Sequence, residues 1–248
     1  MPTRKFSAQE LNHLRRFGSA DIDTKTIGEK PVEYVTGHAE FHGLDFLVSP
    51  ATLIPRIESE KIVDLACNFI KQKEIAHPVI ADIGTGSGCL GLTLASLLSK
   101  EQIPYTVFLS DSSQEALNIA ITNASRLLPS PANLFFEKSD LFETYPKIKF
   151  DIVMANLPYI PSKNIPILDS SVKNYEPISA LDGGPNGTTL INRLVKILPQ
   201  FLSPGGIAIL EINDTHTSEV FSIPPNLTSK IEKDIFDVPR FLIIGLKQ

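Results

Sequence analysis

The stretch "ADIGTGSGCLG", Ala81 to Gly91, ends an apolar run with an aspartate and then places three glycines before a second apolar segment. The residues "PVIADIG" predict a strand, and "CLGLTLASLLS" predicts a helix. Glycines between a strand and a helix permit positive φ angles and let backbone N–H groups come close to a ligand. The stretch therefore predicts a strand, a ligand-binding turn and a helix.

From His77 onward, strand and helix patterns alternate along the chain. Further strand patterns are "YTVFLSD", "NLFFEKSD", "FDIVMAN" and "GIAILEI", and the helix patterns are "SSQEALNIAITNASRLL" and "TTLINRLVKILPQFL". Such alternation predicts an α/β fold with a mostly parallel sheet covered on both faces. The tail "SKIEKDIFDVPRFLIIGLK" holds two strand patterns without a long helix between them, so we expect an antiparallel final pair.

The chain before His77 divides into two short parts. Residues 1–30 hold one amphipathic helix pattern, in which Ser7 and Glu10 have the spacing of a capping box. Residues 31–76 begin with "VEYVTGHAEFHGLDFLVS", whose β-branched and aromatic residues around His42-Gly43 predict a hairpin. A helix is expected just after Pro55, linking the hairpin to the domain at 77–248.

Composition and charge narrow the classes of partner. The net charge is −5, so no overall positive field favours nucleic acid. Cys67 and Cys89 stand apart and no histidine has a metal-ligand spacing, so we expect neither a disulfide framework nor a metal site. The polar N-terminus does not resemble a signal peptide, and the uncharged run Ile83 to Ser99 is too rich in Gly, Ser and Thr for a membrane helix. We expect a cytoplasmic protein without a membrane anchor.

Two acidic residues accompany the glycine turn. Asp82 ends the strand before it, and Asp111 lies 25 residues after Gly86 at the end of the next strand pattern. A carboxylate in that place can accept both hydroxyls of a ribose, which is compatible with a dinucleotide or with S-adenosylmethionine. The alternative is that Asp111 caps the following helix, a role that Ser112 or Ser113 could share.

Two later strand ends favour S-adenosylmethionine over NAD. Asp140 and Leu141 follow the third strand pattern, where a carboxylate beside an apolar residue suits the edge and face of an adenine. Asn156 follows the fourth, and a nicotinamide enzyme has no evident use for an asparagine there. As for Asp111, the alternative is that Asp140 caps the helix that follows it.

The order of several segments resembles the protein-(glutamine) N-methyltransferases of the HemK/PrmC family. These segments are "FHGLDFLVSPATLIPRIESEKIV", "ADIGTGSGCLGLTLA", "SDSSQEALNIAITNA", "SDLF", "ANLPYI", "YEPISALDGGPNG" and "GGIAILEI". The I-P-R segment and E-P-x-x-A-L-x-G-G are the most specific of them. The resemblance implies a Rossmann-like, seven-stranded class I methyltransferase sheet, S-adenosylmethionine as cofactor, and the Gly-Gly-Gln glutamine of peptide-chain release factors as target.

The resemblance also implies a role for each residue of the site. Cofactor contacts would come from Asp82, Ile83, Gly84, Thr85 and Gly86 at the methionine part, Asp111 at the ribose, Asp140 and Leu141 at the adenine, and Asn156. The substrate glutamine would be held by Asn156, Leu157, Pro158 and Tyr159, of which Asn156, Pro158 and Tyr159 are the candidate catalytic residues. Glu176 would brace the long loop over the site.

The chemistry of an amide explains why these residue types recur. An amide nitrogen is a poor nucleophile because its lone pair is delocalised, so positioning must do most of the catalysis. We hypothesise that Asn156 Oδ1 and the Leu157 carbonyl accept the two amide hydrogens while Tyr159 packs on the amide plane. Pro158 biases Leu157 toward an extended conformation. Methyl transfer from a sulfonium needs no metal.

Three features depart from the family pattern. Leu157 stands where the first proline of Asn-Pro-Pro-Tyr is expected, and "IPRIESE" has Ile57 for proline and Ser59 for threonine. The family usually has a multi-helix N-terminal domain, whereas residues 1–30 have room for one helix. Asn-Leu-Pro-Tyr is also the form found in dimethyladenosine rRNA methyltransferases. The first alternative function is therefore methylation of an adenine amine in RNA or DNA. A small-molecule substrate, or a cofactor-binding module without turnover, is the further alternative.

Overall fold

The computed structural model describes residues 4–18, 26–128, 132–145, 147–234 and 236–247. Its first elements are α1 (Ala8–Phe17), α2 (Val32–Thr36), β1 (His38–Phe41), β2 (Leu44–Leu47) and α3 (Glu60–Gln72). The capping box at α1 is confirmed, because Ser7 Oγ accepts from the Glu10 N–H and the Glu10 carboxylate accepts from the Ser7 N–H. The hairpin is confirmed as the antiparallel pair β1 and β2. A 3₁₀ turn at Ile57–Ser59 precedes α3.

One part of the hairpin prediction is wrong. Val32–Thr36 forms the short helix α2, although its valines and tyrosine favour a strand. Pro31 precedes the helix with a φ of −54° that suits a helix start, and Gly37 ends it in a left-handed conformation at φ 79°. The capping residues therefore override the β propensity of the five residues between them.

A seven-stranded sheet forms the centre of the domain. Its strands are β3 (Val79–Ile83), β4 (Thr106–Asp111), β5 (Leu134–Lys138), β6 (Phe150–Ala155), β7 (Leu202–Glu211), β8 (Leu227–Lys233) and β9 (Pro239–Leu246). The helices between them are α4 (Cys89–Lys100), α5 (Gln114–Leu127), α6 (Ser170–Lys173) and α7 (Thr189–Phe201). The spatial order is β5-β4-β3-β6-β7-β9-β8, and only β9 runs antiparallel to its neighbours. The predicted mixed sheet with an antiparallel last strand is confirmed.

The sheet separates two apolar layers because successive strand side chains point to opposite faces. Ile80 and Ile152 face the layer that includes α3, α4 and the hairpin residues Phe41 and Phe46. Their neighbours Ala81 and Val153 face the layer that includes α7. Within the described ranges, no helix combines the length and the apolar character that crossing a bilayer requires.

The fold gathers the candidate residues at one edge of the sheet. Strands β3, β4, β6 and β7 are parallel, so their carboxyl ends meet on the same side. These ends deliver the glycine turn, Asp111, Asn156 and Glu211. Ligands of open α/β sheets bind in the crevice outside this edge.

Candidate active site

The glycine turn is fixed by the neighbouring strand. The Thr85 N–H donates to the Ser110 carbonyl at 2.8 Å, and the Gly86 N–H donates to Asp111 Oδ2 at 2.9 Å. Gly84 has a φ of +70°, and a Cβ there would lie 2.9 Å from Leu157 Cδ2. At Gly86 the place of a Cβ is open, with no other heavy atom within 4 Å. The turn thus packs on the Asn-Leu-Pro-Tyr segment at one glycine and leaves space for a ligand at the other.

Asp82 lies beneath this turn and is fully buried. Its Oδ2 accepts from Thr85 Oγ1 at 2.6 Å and from the Gly91 N–H at 2.9 Å, whereas Oδ1 has no partner among the described residues. Burial raises the pKa of Asp82 to about 6. Its two bonds support the turn from below. A buried carboxylate oxygen without a donor also favours a cationic ligand near the turn.

Asp111 faces the crevice and ties two loops together. Its Oδ1 accepts from the Ser113 N–H at 2.9 Å, while Oδ2 holds the glycine turn. The helix cap of α5 is Ser113, whose Oγ accepts from the Ala116 N–H. Burial raises the pKa of Asp111. Because Ser113 performs the capping, the carboxylate of Asp111 remains directed at the turn and the crevice.

Asp140 and Leu141 form the next wall. Asp140 Oδ2 accepts from Arg193 Nη2 at 3.0 Å, in a half-exposed ion pair. Leu141 has a φ of +54°, which is strained for a residue with a branched side chain. Such strain persists where the surrounding structure holds the backbone in place, and it is concentrated at functional sites.

Three neighbouring cavities open at this edge. The main cavity is lined by seven of the nine candidate cofactor residues, namely Ile83, Gly84, Gly86, Asp111, Asp140, Leu141 and Asn156, and by Leu157 and Pro158. The small cavity includes Arg56, Ser59, Thr85 and Cys89. The apolar cavity includes Tyr159, Ile160, Leu168, Val172 and Leu181. Asn156 and Leu53 line all three, so Asn156 stands where a cofactor cavity and a substrate cavity would meet.

Asn156 is held by a chain of hydrogen bonds that reaches Glu211. Asn156 Nδ2 donates to Ser59 Oγ at 3.0 Å, and Ser59 Oγ donates to Glu211 Oε2 at 2.5 Å. The Tyr159 hydroxyl donates to Glu211 Oε1 at 2.9 Å. Glu211 is 1% exposed, and burial raises its pKa. No donor among the described residues reaches Asn156 Oδ1 or the Leu157 carbonyl.

The segment from Pro158 to Ile160 packs closely against two later glycines. A Cβ at Gly183 would lie 2.6 Å from the Pro158 carbonyl oxygen, and one at Gly187 would lie 2.1 Å from the Tyr159 carbonyl oxygen. The Gly183 N–H also donates to the Ile160 carbonyl at 2.9 Å. These contacts explain why "ALDGGPNG" accompanies Asn-Leu-Pro-Tyr: the glycines allow the two backbone segments to touch.

Glu176 fastens the long loop to the I-P-R segment. Its side chain is 1% exposed and makes an ion pair with Arg56, while Oε2 accepts from the Ile54 N–H at 3.2 Å. Arg56 and Ile54 follow the hairpin, and Glu176 lies in the loop between β6 and α7. The buried Glu176 side chain therefore holds the loop over the cavities.

Sequence patterns alone give no role to Ser59, Glu211 or Leu53, although all three lie inside the quoted segments. Glu211 is a lone acid that ends an apolar strand, and this placement is the signal that could have singled it out. Leu53 lies in irregular backbone and Ser59 in the short 3₁₀ turn before α3, where no periodicity shows which way a side chain points. Their contacts arise from the tertiary fold.

Comparisons with known proteins show the family and the fold of the chain. The family described as "Methyltransferase domain" matches residues 76–235. The chain is 38% identical to a release factor glutamine methyltransferase of Koribacter versatilis, over 99% of this chain and 83% of that one. It is 37% identical to a release factor glutamine methyltransferase of Geobacter sulfurreducens, over 74% of this chain and 61% of that one. A ribosomal protein L11 methylase from Lactobacillus delbrueckii shares the fold, with a TM-score of 0.54 at 17% identity over 78% of this chain and 81% of that one.

Proposed function

The chain belongs to the family of release factor glutamine methyltransferases, S-adenosylmethionine-dependent enzymes, and from this premise we propose that it methylates the side-chain amide of the Gly-Gly-Gln glutamine in a peptide-chain release factor. The chain spans 83% and 61% of the length of the two relatives compared above, and the substrate is accordingly part of the proposal. Translation termination is a cytoplasmic process, and the free thiols of Cys67 and Cys89 fit that compartment.

The residues at the strand ends fit the cofactor. The open place at Gly86 leaves room above the turn, and Asp111 presents a carboxylate at the crevice. The Asp82 oxygen that has no partner among the described residues favours a cation. When bound, S-adenosylmethionine supplies an electrophilic methyl group on a sulfonium. The turn and Asp111 would hold its amino acid and ribose parts, and Asp140 with Leu141 would border its adenine.

The substrate role rests on one observation: two neighbouring hydrogen-bond acceptors, which receive no donor from the described residues, belong to residues that line the main cavity. These are Asn156 Oδ1 and the Leu157 carbonyl, and a primary amide has two N–H groups to offer them. Pairing with both fixes the plane of the glutamine amide and turns the face of its nitrogen toward the main cavity. Positioning of this kind is the largest aid that a weak nucleophile can receive without being deprotonated.

The neighbouring side chains support the same assignment. Tyr159 lines the apolar cavity beside Asn156, so its ring can flank the amide while its hydroxyl stays bonded to Glu211. Pro158 is buried between Leu157 and the Gly183 contact, which immobilises the Leu157 carbonyl. Leu53, Leu168 and Leu181 also line this cavity and make its surface apolar.

One observation favours a different substrate. Asn-Leu-Pro-Tyr offers paired acceptors and an aromatic ring, which would also suit the exocyclic amine of a flipped-out adenine. The net charge of −5 and the family membership favour the protein substrate instead.

Transfer of a labelled methyl group to purified release factor and to rRNA, in separate reactions, tests the proposal. We expect label in the release factor only, with tandem mass spectrometry placing it on the glutamine side chain. Label in the adenines of rRNA, and none in the release factor, would replace the proposal with its rival.

A further inference from the structure

The chain of hydrogen bonds behind Asn156 has a defined direction. Glu211 receives one hydroxyl on each carboxylate oxygen, from Ser59 at 2.5 Å and from Tyr159 at 2.9 Å. A serine hydroxyl carries a single hydrogen, so Ser59 Oγ has only lone pairs left for Asn156. The group that meets these lone pairs must be a donor. It is Asn156 Nδ2, at 3.0 Å.

We propose that Glu211 and Ser59 are positioning residues of the methyl transfer: they fix the side-chain amide of Asn156 with Nδ2 inward and Oδ1 toward the substrate cavity. The inference rests on the proposed function, because it gives Oδ1 the task of accepting an N–H of the glutamine amide. Neither positioning residue touches the substrate, and both act through Asn156.

The inward orientation matters because an asparagine amide is nearly symmetric in shape. A half-turn about its last bond exchanges Oδ1 with Nδ2 and would present two N–H donors to a substrate that itself offers N–H donors. On the inward side of the amide, Ser59 is 2% exposed and Glu211 is 1% exposed, so these two residues rather than bulk solvent set its orientation. Two donors that face each other form no hydrogen bond, so the contact that positions the substrate amide would be lost.

The other groups near Glu211 do not set the orientation of the Asn156 amide. Arg240 stabilises the carboxylate electrostatically, but its guanidinium bonds to Asp234 at 2.6 Å. Tyr159 bonds to the other carboxylate oxygen and so fixes its own ring rather than the amide. Among the described residues, Ser59 is the only side chain that bonds to Asn156.

The test compares variants of Ser59 for kcat, for KM of the release factor and for cofactor affinity. In Ser59→Ala, Nδ2 loses its acceptor, and kcat should fall roughly ten- to a hundredfold while cofactor affinity stays unchanged. Ser59→Thr restores the hydroxyl and should recover the wild-type kcat. Ser96→Ala removes another buried serine that lines none of the three cavities, and it should leave kcat unaltered.

Variants of Glu211 distinguish the direction of the hydrogen bonds from the charge of the carboxylate as the cause of the effect. Glu211→Gln can place its oxygen toward Ser59 and its nitrogen toward the Tyr159 hydroxyl, so the direction survives and kcat should stay near the wild-type value. Glu211→Met accepts from neither hydroxyl and should match the loss in Ser59→Ala. The double variant of Ser59→Ala with Glu211→Met should be no slower than either single one, because both break one chain.

Three results would overturn the inference: wild-type kcat in Ser59→Ala, a Thr variant as slow as the Ala variant, or losses that multiply in the double variant. A measurement without substrate tests the orientation of Asn156 independently of the proposed function. In asparagine-labelled protein, the Asn156 side-chain amide signals should shift in Ser59→Ala and stay in place in Ser96→Ala. If the wild-type enzyme methylates no release factor yet these signals respond, the proposed function fails and the orientation stands; unresponsive signals reject the orientation itself.

Discussion

Gly187 touches the carbonyl group of Tyr159 so closely that a Cβ atom on it would lie 2.1 Å from the carbonyl oxygen. The contact joins the end of the long loop to the segment that presents Asn156. A side chain at this glycine must therefore displace the backbone on which the two acceptors depend.

Gly187→Ala should lower kcat by roughly ten- to a hundredfold, because it shifts Asn156 and the Leu157 carbonyl from their places. Overpacking and the positive φ should also reduce the free energy of unfolding by about 1–3 kcal/mol. Gly43→Ala is the matched control, since Gly43 has the same φ of +73° with nothing within 4 Å of the place of a Cβ. Equal kcat in both variants would show that the contact has no part in catalysis.

Glu176→Ala should loosen the long loop over the cavities. The change leaves the Ile54 N–H without its acceptor and removes the partner of Arg56. We expect the free energy of unfolding to fall by about 1–3 kcal/mol and the KM for the release factor to rise. Glu101→Ala breaks an exposed pair with Lys71 and should change neither quantity measurably. An unchanged KM in Glu176→Ala would count against the bracing role.

Asp111→Ala should weaken cofactor binding without destroying the transfer step. The loss of charge-assisted acceptors at the ribose, worth about 1.5–3 kcal/mol, corresponds to roughly a ten- to a hundredfold higher Kd. At saturating cofactor, kcat should stay near that of the wild type. Calorimetric titration measures the affinity, and Asp169→Ala, at an exposed helix cap whose residue lines none of the three cavities, serves as the control. Wild-type affinity in Asp111→Ala would remove Asp111 from the cofactor site.

Asp82 should make the stability of the ligand-free protein depend on pH. Its pKa of about 6 in the folded protein exceeds the ordinary value of 3.8, so the folded state binds the proton more tightly than the unfolded chain. The contribution of Asp82 to the free energy of unfolding must then fall as pH rises from about 4 to about 6, and level off above.

Asp82→Asn lacks this titration while it can keep both bonds to the glycine turn. Its stability relative to the wild type should increase over that interval by roughly 2–3 kcal/mol. Urea unfolding at a series of pH values measures the difference, from which the contributions of groups that do not interact with Asp82 cancel. A difference that is constant with pH would show that the pKa of Asp82 is not raised.

The sequence predicts the sheet well because each strand and helix carries its own pattern. Alternating apolar segments and the glycine turn of Ala81 to Gly91 suffice for the parallel part, and the short spacer before Pro239 suffices for the antiparallel end. The prediction fails at Val32–Thr36, where capping by Pro31 and Gly37 overrides β propensity. Local pattern is thus reliable except where a few capping residues decide the outcome.

The site is predictable only in part. Seven of the nine candidate cofactor residues line the main cavity, but Asp82 lies beneath the turn and Thr85 lines the small cavity instead. The bond between Ser59 and Glu211 joins residues 152 positions apart. No periodicity encodes such a contact, because it exists only once α3 has packed beside the end of β7.

The central claim is that Asn156 Oδ1 and the Leu157 carbonyl hold a glutamine amide. The direct measurement is tandem mass spectrometry of the Gly-Gly-Gln peptide of a release factor after incubation with labelled S-adenosylmethionine and either the wild type or Asn156→Ala. The account predicts one methyl group on the glutamine side-chain nitrogen with the wild type, and none with the variant, whose cofactor affinity is retained. Methylation of that glutamine by Asn156→Ala at the wild-type rate would contradict it.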